Sequence, residues 1–398
     1  MHRDPIRRGL PALLAGVLAS ALAGCGSRPA DSPAPAPPPP VPQAVATHPP
    51  QPPQLPGMPP VLDARNVYSA AGAGMLSQPA RDATPLVYVP HVGSGDVWVI
   101  DPSTFAVVGR YPVGREVQHV VPSYDMRTLY ATDNIGYTIT PFDPVTGRPG
   151  PAIPVVDPYN MYFTPDGALV ISVAEARKEL VWYAPDTWQQ VDVTEVPTCA
   201  GVDHADFSPD GRIAVFSCEF DGRVIVVDVA SRQVLRTIDM PTRNTRMGPQ
   251  DVKLAPDGSV FYVADSDQGS VWVIDGAATQ VIREIKTAHG AHGLYLDREA
   301  KRLFVTNRHA GTISVLDAFT GEITATWTLP TGSSPDMGNV TADGSQLWLS
   351  GRYDDEVYVV STADGTLLAT IPVGDEPHGL CVWPQPGRYS LGHTGITR

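Results

Sequence analysis

The sequence predicts an all-β fold, a seven-bladed β-propeller closed by strands from both chain ends, on three observations. A phrase of two short strands recurs seven times, as in "LVYVPHVGSGDVWVID", "FYVADSDQGSVWVID" and "LFVTNRHAGTISVLD". The residues that close these phrases are Asp101, Asp143, Asp186, Asp228, Asp275, Asp317 and Ser361, which are 42, 43, 42, 47, 42 and 44 positions apart. Between them lie only alternating apolar runs and turn residues, and a strand-and-turn unit of about 40–45 residues is what one four-stranded blade requires. The length of 398 residues leaves room for one large all-β architecture or for two ordinary domains.

The N-terminus comes first in chain order. Residues 1–24 join a basic start (Arg3, Arg7, Arg8) to an apolar stretch from about Leu10 to Ala23, too short to span a bilayer, and read as a secretory signal. Leu22-Ala23-Gly24-Cys25 resembles the bacterial lipobox, which implies cleavage before Cys25 and its lipidation, with Gly26 favouring the outer membrane in a Gram-negative cell. Residues 25–62 hold fifteen prolines between Pro29 and Pro60 and are expected to form a disordered linker. In polyproline II the 32 residues from Pro29 to Pro60 reach roughly 100 Å at about 3.1 Å each. Residues 63–85 are expected to be extended, and 86–398 to form the propeller.

Within each blade the expected order is an inner strand, the "LFVTN" strand, the "TISVLD" strand and an outer strand such as "EITATWTLP". "SPDG", "APDG", "TPDG" and "TADG" supply the turns between the first two. The closing Asp accepts N–H bonds in its turn, as in "DPVTG" and "DAFTG". The chain enters at the second strand of one blade, near Leu86, and the matching inner strand "HGLCVW" lies at 378–383. Blades are numbered from the inner strand near His119, so the shared blade is the seventh.

"LYATDN" and "LFVTN" followed by "ISVLD" resemble the YVTN-repeat, YncE-like propellers over residues 86–392. The resemblance implies a scaffold that hosts binding proteins, heme d1 domains and lactonase-like enzymes. It does not by itself select among them.

Aligned repeats place a polar pair at the start of every inner strand: Gln118-His119, Tyr159-Asn160, Asp203-His204, Gln250-Asp251, His292, Asp336-Met337 and His378. Inner strands line the axial channel, so these residues are expected to form one ring at its mouth, as the ligand site or as caps for backbone groups. The histidines come from alternate blades and are expected to stand too far apart to share one metal ion. His204 with Asp203, or His289 with His292, could hold one locally. No metal or cofactor is firmly implied; heme d1 on His119, His204, His292 or His378 stays open, as does a lactonase-like trio of Arg246, Asp251 and His292. CxxCH, HExxH and GxSxG do not occur.

The remaining cysteines are Cys199, Cys218 and Cys381. Export and antiparallel geometry predict a Cys199–Cys218 disulfide bracing the loop before Asp203 and His204, and a buried, inert Cys381. The tail "WPQPGRYSLGHTGITR" reads as exposed, folding over the channel or the seam. Taking the three arginines and Asp4 of the leader from the 28 basic and 42 acidic residues leaves a net charge of −16, which disfavours nucleic acid. The expected protein is a monomeric, membrane-tethered head that binds a small molecule or an envelope protein, with a periplasmic enzyme or heme-handling protein as the alternative.

Overall fold

The computed structural model describes residues 54–242 and 245–398; the predicted signal and Cys25 lie outside them. Seven antiparallel sheets form the blades, six of four strands and one, the first, of five. Their inner strands are Val117–Pro122, Pro158–Phe163, Val202–Phe207, Pro249–Leu254, Ala291–Leu296, Pro335–Val340 and Cys381–Trp383. The last pairs with Leu86–Pro90 (Leu86↔Trp383, Tyr88↔Cys381), so the seventh sheet is drawn from both ends of the chain.

Burial follows radius. Inner strands are buried at all but one position, the half-buried Leu296, because one face meets the channel and both flanks meet neighbouring blades. Outer strands such as Gln233–Asp239 are mostly exposed. The closing aspartates act as turn acceptors: Ser103 N–H donates to Asp101 at 2.8 Å and Val145 N–H to Asp143 at 2.8 Å. Gly147 and Gly321 take φ of +69° in the "DPVTG" and "DAFTG" turns, where a side chain would be strained.

One local device positions the site. In five blades the inner strand loses register for two residues, between Val117 and Val120, Val202 and Ala205, Pro249 and Val252, Ala291 and Leu294, and Pro335 and Gly338. Such a bulge releases a dipeptide from the ladder and re-aims its side chains. In four of these blades the backbone freed this way is recaptured by a hydroxyl on the next strand. His119 N–H donates to Thr132 at 3.1 Å, His204 N–H to Ser217 at 3.0 Å, Gly293 N–H to Thr306 at 2.8 Å and Met337 N–H to Ser350 at 3.1 Å. The threonine of "LFVTN" therefore exists to satisfy a bulge.

Three expectations need correction. The linker was expected to run to residue 62, but Leu55 and Met58 are buried in the core and Leu55 N–H donates to the Asp210 carbonyl at 2.8 Å. A few apolar side chains suffice to dock this proline-rich stretch. Residues 63–85 are not uniformly extended: Gln78–Asp82 is a short helix with Pro79 in its first turn. The C-terminal tail is not exposed. Tyr389, Leu391, Ile396 and Arg398 are all buried. The tail fills the channel from the end where the inner strands finish, with Leu391 C=O accepting Phe163 N–H at 3.0 Å and His393 N–H donating to Met161 C=O at 2.9 Å. Its glycines and proline rule out a helix, and the channel offers it strand backbone and apolar walls.

Candidate functional site

The bulged dipeptides meet where expected, at the start of the inner strands. His119, His204, His292 and His378 converge, and the tail adds His393 from below; none is more than 2% exposed. Ring centroids lie 5.3 Å apart for His119–His204, 4.8 Å for His119–His378, 6.0 Å for His204–His292 and 4.7 Å for His204–His393. The expectation that these rings stand too far apart to share an ion is corrected. Seven inner strands leave a channel only about as wide as the side chains that fill it. Two groups have ligand atoms within 4.8 Å of one another, His119–His204–His393 and His292–Asp336–His378.

Hydrogen bonds set the tautomers. Asn160 Oδ1 accepts Met161 N–H at 2.8 Å, which fixes its amide so that Nδ2 donates to Nδ1 of His204 (3.0 Å) and of His393 (2.9 Å). Both neutral rings then carry their proton on Nε2. His204 Nε2 lies 3.0 Å from Asp203, and His393 Nε2 lies 3.7 Å from Asp251. His119 is the reverse: its Nδ1 is 2.9 Å from the Tyr159 carbonyl, so it donates there and leaves Nε2 as a lone pair. His378 Nδ1 donates to Gln118 Oε1 at 3.0 Å, and the Gln118 amide donates to Glu116 at 2.9 Å. Burial holds all five imidazoles neutral, with His204 and His292 lowered to about 4.

A second set of residues was missed in the sequence. The residue immediately after each second strand is Asn134, Glu175, Glu219, Ser266, Arg308 and Arg352 in blades one to six. They collar the same mouth, and their charges are segregated. Glu175 and Glu219 stand with Asp203 and Glu116 on the side of blades one to three, while Arg308 and Arg352 stand on blades five and six with Asp336. Burial, then Asp203 and Glu219, pushes Glu175 up to about 9. Burial likewise raises Asp203 and Glu219, only partly opposed by His292 for the first and Arg308 for the second. Burial alone would raise Asp336 too, but nearby His292 and the Arg308 and Arg352 guanidiniums outweigh it and hold it well below the usual carboxylate range; with His292 neutral, the standing positive charge there is that of the arginines. The signal for this column lay one residue beyond each "ATD", "SVA", "FSC" or "VTN", in the same alignment.

The other expected residues divide. Gln250 is buried and donates to the Gly248 carbonyl at 3.2 Å. Asp251 accepts N–H bonds from Val252 and Leu294, both at 2.8 Å, and so ties two inner strands together. Arg246 is exposed, whereas Asp251 is buried and engaged on backbone. Cys199 and Cys218 form a disulfide with Cα atoms 4.8 Å apart, under the loop that leads to Asp203; Cys381 is buried.

A family model described as "YNCE-like beta-propeller" matches residues 66–386. No curated protein sequence matches the chain. Among solved structures it is similar to a functionally unknown protein from Desulfotomaculum acetoxidans (TM-score 0.64, 13% identity, 76% of this chain and 100% of that one). It is also similar to the dihydro-heme d1 dehydrogenase NirN (0.56, 17%, 84% and 83%) and to virginiamycin B lyase from Staphylococcus aureus (0.54, 15%, 65% and 85%). At these identities the likeness is one of fold.

Proposed function

The chain belongs to the YNCE-like β-propeller family, and from that premise we propose that it is an exported, lipid-anchored binding protein whose channel mouth takes a small amphoteric molecule. One observation carries this reading: the collar is charge-segregated across a narrow opening, with Glu175, Glu219 and Asp203 facing Arg308 and Arg352. A cationic group on the acidic side would let the raised carboxyls ionise, and an anionic group on the other would meet Arg308 and Arg352, each charge gaining a partner in a low-dielectric site. Arg352 has a buried guanidinium nitrogen without a partner, which suits an anionic end group. Exposed Phe220 and Tyr353 beside this collar supply apolar contact. The lipobox Leu22-Ala23-Gly24-Cys25 supports the anchor; Cys25→Ala should move the protein from the membrane to the soluble fraction.

Calorimetry with linear ω-amino acids, and with the matching monoamines and monocarboxylates as controls, tests the site. The amphoteric probes should bind at least tenfold more tightly than either control, and Glu219→Gln with Arg308→Gln should remove that preference. Equal binding of all three classes, or none, overturns the proposal. The heme-handling alternative is less favoured, because imidazoles this enclosed present no face to a macrocycle. A Soret band in protein purified from its own host would reverse that preference.

A further inference from the structure

The mouth holds a second kind of site that an amphoteric ligand does not explain. We infer that His292, Asp336 and His378 bind one borderline divalent transition-metal ion of the Zn²⁺ class. Asp336 Oδ1 lies 3.0 Å from His292 Nδ1, and its Oδ2 lies 3.7 Å from His378 Nε2. The three ligand atoms lie within 4.8 Å of one another; ligands placed about 2.1 Å from a tetrahedral ion stand about 3.4 Å apart, so the group closes on one ion with side-chain shifts of up to about 1.4 Å. The close pair is not a substitute for metal: His292 Nδ1 and Asp336 Oδ2 are buried and make no hydrogen bond. Polar atoms so enclosed and without a protein partner need one from outside the chain, a water or an ion.

The surrounding bonds prepare this group and not the other. His378 gives its Nδ1 proton to Gln118, which Glu116 holds in place, so the Nε2 lone pair faces Asp336. A neighbour that takes the proton from the far nitrogen is the usual support for a metal-binding imidazole. Arg308 lies 3.4 Å from Asp336 Oδ1 and orients the carboxylate. Its charge is offset by Asp203, which interacts electrostatically with both His292 and Asp336. By contrast, Asn160 donates to Nδ1 of His204 and His393, leaving Nε2–H groups in the His119–His204–His393 cluster, and an N–H cannot ligate a cation. Two imidazoles and one carboxylate select a borderline ion over Ca²⁺ or Mg²⁺, and three protein ligands leave a coordination position for water or a ligand's anionic end.

Co²⁺ added to metal-stripped full-length protein, without any organic ligand, tests the inference through visible ligand-field absorption and metal analysis. One ion per chain is expected, with affinity reduced at least 100-fold by His292→Ala and by His378→Ala and changed less than threefold by His204→Ala and His393→Ala. Gln118→Leu, which leaves all three ligands in place, should weaken binding about 10–100-fold and serves where a histidine variant does not fold. No uptake by folded wild type overturns the inference, as does uptake that depends on His204 and His393 instead. Because no amphoteric probe is present, this result stands or falls apart from the ligand proposal.

Discussion

Asp203 and Asp206 lie three residues apart on one inner strand, both buried, at 1% and 0% exposure, and they have opposite fates. Asp206 belongs to the plugged end of the channel. Its oxygens accept Arg398 at 3.0 Å, the Tyr68 hydroxyl at 3.0 Å, Leu254 N–H at 2.9 Å and Phe207 N–H at 2.7 Å, tying the tail and the N-terminal segment to the ring. Asp203 belongs to the mouth. Neither of its oxygens makes an aligned hydrogen bond, although His204 Nε2 lies 3.0 Å away, and it couples electrostatically with the acids Glu175 and Glu219. The fold therefore satisfies its buried charges at one end of the channel and leaves them unsatisfied at the other. Stability resides in the first arrangement, and capacity for a ligand in the second.

The contrast can be broken experimentally, most severely at the plugged end. Asp206→Ala strands the Arg398 guanidinium and three further donors, and should cost about 3–5 kcal/mol in chemical denaturation. A cost below about 1 kcal/mol would show that the network does not hold the plug. Next in size is the brace at the mouth: Cys199→Ser with Cys218→Ser opens a link of sequence separation 19 and should cost about 3 kcal/mol. Ligand affinity should suffer as well, because the loop leading to Asp203 loses its clamp.

A smaller, pH-dependent effect sharpens the comparison. Glu175 has its folded pKa raised to about 9, through burial and then Asp203, Glu219, Asp157 and Glu116. A carboxyl raised in this way binds more protons folded than unfolded, so stability is greatest at low pH for this group. It is lost as pH climbs from about 4.5 towards 9. Glu175→Gln should thus match wild type near pH 5 and exceed it by about 1–2 kcal/mol at pH 8, measured as urea midpoints. A constant difference across that range would mean that Glu175 is ionised throughout. Smallest of all, Asp203→Asn should leave stability at pH 8 unchanged or raised by up to about 1 kcal/mol, since burial costs this carboxylate more than Arg308 and its other neighbours return. A loss as large as that of Asp206→Ala would erase the distinction between the two ends.

Much of this was legible in the chain. The spacing of Asp101 to Ser361 dictates blades, because only a repeated four-stranded unit uses that length with no helix. Gln118, His119, Asp203, His204, His292, Asp336 and His378 fall in one aligned column, and radial symmetry brings any column to a common height. The Glu175, Glu219, Arg308 and Arg352 column was equally available, but its charges look like ordinary solvated turn residues until burial is known. The Leu55 and Met58 contacts and the tail plug were hidden by proline and glycine content, which speaks against regular structure and not against packing.

Periodicity, turn chemistry and composition alone thus determine a ring of seven radial sheets and which residues stand level around its axis. Those properties are set by local backbone preference and repeat. Only the assembled molecule decides how narrow the axis is, that His393 enters it from the far end, and which imidazole nitrogen each amide or carbonyl claims. Distances across a channel and the placement of single protons depend on groups far apart in the chain, such as Asn160 with His393, and these meet only when the ring closes.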